Sequence, residues 1–224
     1  EIRNCDWSSD VCSSDLAALL WYKTIASFLI SKGFVPNEVD CCVFNKTIKG
    51  KQVTLVLYVD DILVCSVDEE SCDWVGKILK EEYQEIKKKE GDEISYLGMM
   101  LKRNMDGSIK LSMDEYVKDV LASYGREVSS YTTPADPNLY VTDERDEVPC
   151  EMEPKKFHTV VAKLLYLSRR ARPDVMLPVL YLATRVRSPS RNDERKLDRV
   201  MGYLKGTSKK YRLLDGSQIG RAHV

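Results

Sequence analysis

The clearest hydrophobic pattern in the chain is a pair of short apolar runs on either side of an acidic tetrapeptide. Residues 53–57 and 62–65 are rich in valine, leucine and isoleucine, which suit a buried pleated strand. Between them stands Tyr58-Val59-Asp60-Asp61, where the chain must reverse. The pattern therefore predicts a β-hairpin that holds two neighbouring carboxylates at its tip.

Apolar spacing predicts a helix and a strand upstream of this hairpin. Bulky apolar residues recur at helical intervals over residues 21–29, and Gly33 is placed to end that helix. Residues 42–44 are expected to pair with the strand that ends at Leu57, across a turn at residues 49–51. The hairpin therefore belongs to an antiparallel sheet with a helix beside it.

The pattern continues with a helix and a second hairpin. Asp68 suits the N-cap of an amphipathic helix. Residues 94–101 are expected to form one strand, and residues 109–111 its return strand after a tight turn at residues 106–107. Ser112 and Glu115 have the spacing of a capping box, which predicts that the next helix starts there.

The last third of the chain is predicted to be helical. Residues 129–154 are rich in turn formers and prolines, so they are expected to form an irregular connector. Three helical segments follow: residues 155–170, a segment from Pro173 to about residue 187, and one opened by Ser190.

The two ends of the chain share one coding sequence. Residues 218–224 can be encoded by a DNA string whose reverse complement, when translated, gives residues 10–16 one for one. The string resembles an adaptor used in short-read sequencing, and residues 6–9 fit its upstream continuation. We therefore exclude residues 1–16 and 218–224 from fold reasoning, expect residues 1–16 to be disordered, and treat the natural portion as a fragment.

The charges are unevenly distributed although the net charge is only −1. Residues 155–212 hold a large excess of bases over acids. Such a basic third can be a phosphate-facing surface or a solvated face, and composition alone leaves both alternatives open.

Cysteine usage and hydropathy exclude some classes of protein. No Cys-x-x-Cys pair is present, and His158 is the only histidine outside the excluded ends, so no structural zinc site is expected. The cysteines indicate a reducing, intracellular compartment, either cytoplasmic or nuclear. The longest apolar stretch is interrupted by Asp60 and Asp61, so no membrane span is expected.

The two hairpin acids allow two interpretations. Paired carboxylates on a rigid tip are oxygen ligands for Mg²⁺ and suit two-metal phosphoryl transfer. Alternatively, Asp60 and Asp61 simply make a solvated turn, which aspartate does well. Tyr58 and Val59 would shape an active-site floor in the first case and pack within the strands in the second.

The order of several motifs resembles the reverse transcriptase of copia-type long-terminal-repeat (LTR) retrotransposons. The catalytic signature of that family is matched by residues 57–63, Leu-Tyr-Val-Asp-Asp-Ile-Leu. The other matching segments, in chain order, are residues 21–23, 33–34, 40–44, 96–99, 109–112, 133–134, 164–167, 172–175 and 203–207.

This resemblance implies an α+β fold that contains part of a right-hand polymerase. Residues 17–112 would form a partial palm, an antiparallel sheet with helices, and residues 113–154 a helix and connector. Residues 155–217 would form a basic helical thumb or connection. Within the palm segment, the hairpin at residues 96–112 would grip the primer.

The resemblance also implies RNA- and DNA-templated DNA synthesis. Asp60 and Asp61 would be catalytic and would bind two Mg²⁺ ions, with Tyr58 and Val59 beneath the primer end. The partners would be a primer–template duplex and deoxynucleoside triphosphates, and no membrane. The expected location is the cytoplasm, in a virus-like particle, or the nucleus. The candidates for phosphate contact are all basic: Arg169, Arg170, Arg172, Lys205, Lys209 and Lys210.

The family takes a further catalytic aspartate from a strand upstream of Trp21, where this chain carries adaptor-like sequence. We therefore expect the parent polyprotein, with upstream palm and fingers and downstream ribonuclease H, to polymerise DNA and this fragment to be inactive. One alternative is a non-catalytic nucleic-acid-binding remnant of a mobile element. A calcium- or magnesium-binding structural domain is disfavoured by the basic helices and the absence of EF-hand spacing.

Overall fold

In a computed structural model, which describes residues 13–141 and 148–215, the chain has the predicted α+β fold. The described residues form two antiparallel four-stranded sheets and six α-helices. They divide into two compact units, Glu1–Lys89 and Glu90–Val224. The predicted class is therefore confirmed.

The first unit is a sheet covered by two helices. The sheet has the strand order β1-β2-β3-β4. In chain order the elements are α1 (Ser13–Ser31), β1 (Val35–Pro36), β2 (Val43–Ile48), β3 (Lys51–Tyr58), β4 (Asp61–Ser66) and α2 (Glu69–Tyr83).

The core of the first unit follows from the alternation along β3. Val53, Leu55 and Leu57 are buried on one face, where they meet apolar side chains of α1 and α2. The predicted turn between β2 and β3 is confirmed, since Ile48 pairs with Lys51. The cap of α2 is confirmed as well: the Asp68 side chain accepts a hydrogen bond from the Ser71 N–H.

The expected disorder of residues 1–16 is wrong for its last four positions. Helix α1 begins at Ser13, so it includes residues 13–16. No proline or glycine interrupts the sequence from there to Ser31, so nothing in the backbone stops the helix from extending. Residues 1–12 and 218–224 lie outside the described residues.

The second unit combines a sheet of hairpins with a helical bundle. Its sheet has the strand order β5-β6-β7-β8. The elements are β5 (Glu93–Tyr96), β6 (Met99–Arg103), β7 (Ile109–Ser112), α3 (Asp114–Tyr124), α4 (Pro154–Arg170), a 3-10 turn (Pro173–Val175), α5 (Met176–Arg185), α6 (Arg191–Gly206) and β8 (Arg212–Leu214).

Two sequence predictions in this unit are wrong. Residues 94–101 form two strands instead of one, because Leu97 and Gly98 adopt φ values of 49° and 73° and reverse the chain into a hairpin. Ser112 does not cap a helix, because it remains paired with Met100 in the sheet. Helix α3 instead begins after Met113, which makes no side-chain capping hydrogen bond.

The three C-terminal helices form as predicted. Helix α6 opens with a capping box in which Ser190 and Asp193 exchange hydrogen bonds. In this unit, β7 pairs with β8, which lies after α6 in the chain. The division of the structure after Lys89 therefore differs from the predicted palm boundary at residue 112, because this long-range pairing joins the β5–β7 strands to the helical unit.

Among the described residues, no helix combines the length and apolar character needed to cross a membrane.

Candidate active site

The acidic hairpin closes with a two-residue turn. Tyr58 pairs with Asp61 across β3 and β4, which leaves Val59 and Asp60 as the turn residues. Val59 adopts a φ of 52°. A positive φ is costly for a β-branched residue, and such strain persists only where the surroundings hold it in place.

An indole from α1 braces this strained turn. Trp21 Nε1 donates a 2.7 Å hydrogen bond to the carbonyl oxygen of Val59. The Trp21 ring also packs edge-on against Tyr83, with 5.4 Å between ring centroids. The sequence predicts a core role for Trp21 but does not reveal this hydrogen bond, which spans 38 residues. The sequence indicates only that the indole N–H of a half-buried tryptophan needs some hydrogen-bond acceptor, and it does not identify that acceptor.

The side chains of Tyr58 and Asp61 lie on the face of the sheet opposite the helices. Directly paired residues share a face, so Tyr58 and Asp61 lie together, away from the face that buries Leu57. Tyr58 is 52% exposed and Val59 is 59% exposed. This exposure does not fit the alternative that the two side chains merely pack within the strands.

The two hairpin carboxylates are exposed and uncommitted. Among the described residues, neither Asp60 nor Asp61 has a hydrogen-bond or ion-pair partner, and both lie exposed at the turn. Two adjacent carboxylates with all their oxygens available are the ligand type that hard divalent cations such as Mg²⁺ prefer. The donor set therefore fits a hard divalent metal.

Asp68, the next acid along the chain, has a different environment. Hydrogen bonds from Lys51 and Ser71 lower its pKa to about 2. Its oxygens are engaged in capping α2 and in a 2.8 Å ion pair with Lys51. Asp68 is therefore a structural acid, unlike the two at the hairpin tip.

One of the six predicted phosphate-contacting bases is misassigned. Arg172 is 2% exposed, so its guanidinium cannot reach a nucleic acid. It makes hydrogen bonds of 3.0 and 2.9 Å to Asp174 and of 3.0 and 2.7 Å to the carbonyl and hydroxyl of Thr207. Arg172 therefore joins the α4–α5 connection to the end of α6, and burial explains why a charge pattern misplaces it.

The other five bases reach solvent. Arg169, Lys205 and Lys209 are exposed, and Lys205 Nζ also donates a 3.3 Å hydrogen bond to the Val128 carbonyl. Arg170 is half-buried, and its guanidinium lies 3.8 Å from the centre of the Tyr166 ring. Lys210 is exposed, and its Nζ donates a 2.8 Å hydrogen bond to the Tyr203 hydroxyl.

Tyr166 also supports the unpredicted turn between β5 and β6. Its hydroxyl donates a 2.8 Å hydrogen bond to the carbonyl of Leu97, one of the two turn residues. The Tyr166 ring contacts the Arg170 guanidinium and the ring of Tyr116, whose centre is 5.2 Å away. The sequence predicts Tyr166 only as part of a helical motif, because its partner is 69 residues away.

Comparison with known proteins identifies relatives of the chain. Residues 11–136 match the family described as reverse transcriptase (RNA-dependent DNA polymerase). The chain is 26% identical over 211 residues to the putative transposon Ty5-1 protein of Saccharomyces cerevisiae, covering 91% of this chain and 65% of that protein.

Two polyproteins are also similar. Over 194 residues the chain is 29% identical to the retrovirus-related Pol polyprotein from transposon RE1 of Arabidopsis thaliana, covering 84% of the chain and 12% of the polyprotein. Over 187 residues it is 29% identical to the transposon Ty1-DR5 Gag-Pol polyprotein of S. cerevisiae, covering 76% of the chain and 10% of the polyprotein.

The extent of these matches defines what the chain is. It spans less than two thirds of the Ty5-1 relative and about a tenth of the two polyproteins. No solved structure matches it. The family match covers more than half of the chain and includes the acidic hairpin, which confirms the resemblance inferred from the motifs. The chain therefore belongs to the reverse transcriptase (RNA-dependent DNA polymerase) family, and within it to the copia type of LTR retrotransposons.

Proposed function

We propose that this chain supplies the metal-binding hairpin of an RNA-directed DNA polymerase. The observation that carries the proposal is a pair of exposed carboxylates, Asp60 and Asp61, on a strained turn braced by Trp21. The family depends on divalent metal ions in general; we propose Mg²⁺ as the ion, because both ligands are hard oxygens. The substrates would be a primer–template duplex and deoxynucleoside triphosphates.

Each residue of the hairpin has a distinct role in this proposal. Asp60 and Asp61 hold the ions through their carboxylate oxygens, and Asp60 is our first choice for a direct ligand. Ions held by these two carboxylates would supply Lewis-acid activation of the primer hydroxyl and neutralisation of charge on the leaving pyrophosphate. Tyr58 and Val59, both more than half exposed, form the floor beneath the primer end. Trp21 acts on the turn and is therefore a positioning residue.

We propose that the five accessible bases of the second unit contact phosphates of the duplex. Phosphate contacts carry no sequence information and make binding steeply dependent on salt. Five contacts correspond to an affinity loss of roughly 500-fold between 50 and 200 mM salt. Replacing Lys209 with alanine should lower the slope of log affinity against log salt concentration by about one. The control is Lys118→Ala, which removes the base of an exposed ion pair with Glu115 and should leave this slope unchanged.

The catalytic role can be tested by primer extension in two forms of the protein. We expect no Mg²⁺-dependent synthesis from the chain as given. We expect synthesis from a longer protein in which the natural sequence that precedes Trp21 at the genomic locus is joined in frame to this chain. In the polyprotein context suggested by the relatives' names, that sequence would hold the upstream palm and fingers.

Substitutions in the longer protein identify the acids responsible. Asp60→Asn or Asp61→Asn should reduce synthesis by about a thousandfold, because metal charge stabilisation is worth several kcal/mol and each 1.4 kcal/mol is tenfold. Asp119→Asn, at an exposed site on α3, is the matched control and should retain activity. Synthesis unaffected by both hairpin substitutions would overturn the proposal, and duplex binding without synthesis would favour the non-catalytic remnant.

A further inference from the structure

A second cluster of side chains with metal-ligating atoms lies in the loop before β2. Asp40, Cys41 and Cys42 each offer one ligand atom, and the three atoms lie within 4.8 Å of one another. Asp40 is exposed and both cysteines are half-buried, so a dissolved ion can reach the group. We propose that this loop binds a thiophilic divalent cation of the Zn²⁺ or Cd²⁺ class.

Hydrogen bonds order the loop around these side chains. Asn37 Oδ1 accepts hydrogen bonds from the N–H groups of Val39 (2.8 Å) and Asp40 (3.2 Å). One Asp40 carboxylate oxygen accepts a 2.9 Å hydrogen bond from the Cys42 N–H, and the Asp40 carbonyl accepts one from the Val43 N–H. The loop is therefore largely organised before any ion binds, which lowers the entropic cost of binding.

Two neighbouring elements anchor the cysteine backbone. The Tyr22 hydroxyl on α1 donates a 3.0 Å hydrogen bond to the Cys41 carbonyl. The Leu57 N–H, near the end of β3, donates a 2.8 Å hydrogen bond to the Cys42 carbonyl. Leu57 immediately precedes Tyr58, so the loop lies at the same end of the sheet as the acidic turn. Trp21 and Tyr22 brace these two segments from adjacent positions on one helix.

The donor set suits a soft cation better than Mg²⁺. Two thiolates and one carboxylate oxygen would fill three positions of a tetrahedral site, and water the fourth. Zn–S bonds of about 2.3 Å place two sulfurs about 3.8 Å apart, so small side-chain rotations would bring the donors into range. Binding releases the two thiol protons to solvent. The spacing rule used on the sequence misses this group, because it requires Cys-x-x-Cys and these cysteines are adjacent.

Titration of the full chain with Co²⁺ under reducing conditions tests the proposal. Co²⁺ reports thiolate ligands through a sulfur-to-metal charge-transfer band in the near ultraviolet. Cys5 and Cys12 are replaced by serine throughout, so that the signal can come only from the remaining cysteines. We expect a saturable band at one ion per chain that Zn²⁺ displaces and Mg²⁺ does not.

Variants locate the site. The band should disappear in C41S/C42S and persist in the matched control C65S/C72S. Loss of an outer-shell partner alone costs ten- to a hundredfold in metal affinity, so Asp40→Asn, which removes a ligand, should weaken binding at least about tenfold. Glu38→Gln, an exposed acid in the same loop, should not weaken it. A band that persists in C41S/C42S, no band in the parent chain, or equal weakening by Asp40→Asn and Glu38→Gln would overturn the proposal.

Discussion

Two pairs of charged side chains, one pair in each unit, differ in exposure and in partners. In the first unit, Asp60 and Asp61 lie exposed on a strained turn and have no partner among the described residues. In the second unit, Arg172 and Glu194 are 2% and 3% exposed in their side chains, and both are fully engaged. Exposure and partners, more than the number of charges, therefore separate groups available for binding from groups that hold the fold together.

Glu194 shows how a buried charge is compensated. It pairs with Arg126 and accepts hydrogen bonds from the N–H groups of Glu151 (3.1 Å) and Met152 (3.2 Å). Burial alone would raise the pKa of Glu194, but Arg126 and the two N–H groups outweigh it and hold the pKa below its ordinary value. A carboxylate committed in this way has no oxygen to offer a metal, whereas both hairpin acids do.

The largest effect is expected from the buried arginine. Arg172→Ala should destabilise the second unit by about 3 kcal/mol, because it empties a fully buried site and removes the hydrogen bonds to Asp174 and to the carbonyl and hydroxyl of Thr207. Hydrogen exchange in peptides from α4 to α6 measures this, since the three tryptophans, Trp7, Trp21 and Trp74, all precede residue 90. Arg169→Ala, at an exposed position, should change stability by no more than about 0.5 kcal/mol. If the two substitutions destabilise the unit equally, burial and bonding do not distinguish Arg172 from the exposed Arg169.

Acid should weaken the second unit through Glu194. Its folded pKa is lowered, so its contribution is complete above the unfolded pKa of about 4.5 and is lost as pH falls through the folded value. Glu194→Gln should cost about 2 kcal/mol at neutral pH and flatten this acid dependence. Glu115→Gln, whose side chain is 85% exposed, serves as the control in the same pH series. If Glu194→Gln loses stability at acid pH as steeply as the parent protein, Glu194 is not the source of the acid dependence.

A smaller effect is expected from the brace of the acidic turn. Trp21→Phe keeps an aromatic ring against Tyr83 but removes the donor to Val59, at a cost of about 1 kcal/mol. Hydrogen exchange at residues 58–61 should become faster. Trp74→Phe, whose ring stacks on Phe34, should leave exchange at the turn unchanged. If the two substitutions have the same effect there, Trp21 does not position the turn.

The smallest effect tests the strain itself. Val59→Gly should raise stability by up to about 1 kcal/mol, because glycine adopts a φ of 52° without steric cost. Val67→Gly, at a site that is 85% exposed, should lower stability slightly through chain entropy. Urea unfolding followed by tryptophan fluorescence measures both variants. A loss of stability in Val59→Gly would show that the turn is not strained.

Sequence reasoning succeeds where local pattern decides the structure. The hairpin around Asp60 and Asp61 is predictable because both strands are apolar runs rich in β-branched residues and the turn between them is short. The cap by Asp68 is predictable for the same reason, since all of its determinants lie within four residues. The family resemblance then supplies the chemistry, which the hairpin pattern alone leaves open.

Sequence reasoning fails where distant segments meet. The local charge pattern predicts that Arg172 contacts phosphate, whereas its guanidinium binds Thr207, which is 35 residues away. The hydrogen bond from Trp21 to Val59 is invisible for the same reason. The β5–β6 hairpin is a different case. Apolar residues continue on both sides of Leu97 and Gly98, so the pattern favours one continuous strand although Gly98 permits a turn.

Mn²⁺ paramagnetic broadening of backbone amide signals in the full chain can show whether the acidic turn holds a hard divalent cation. We expect the amides of residues 58–61 to broaden first, and we expect added Mg²⁺ to reverse the broadening. The broadening should be lost when Asp60 and Asp61 are both replaced by asparagine, but not in Asp40→Asn. Broadening that begins elsewhere, or that survives replacement of both hairpin acids, would contradict the claim.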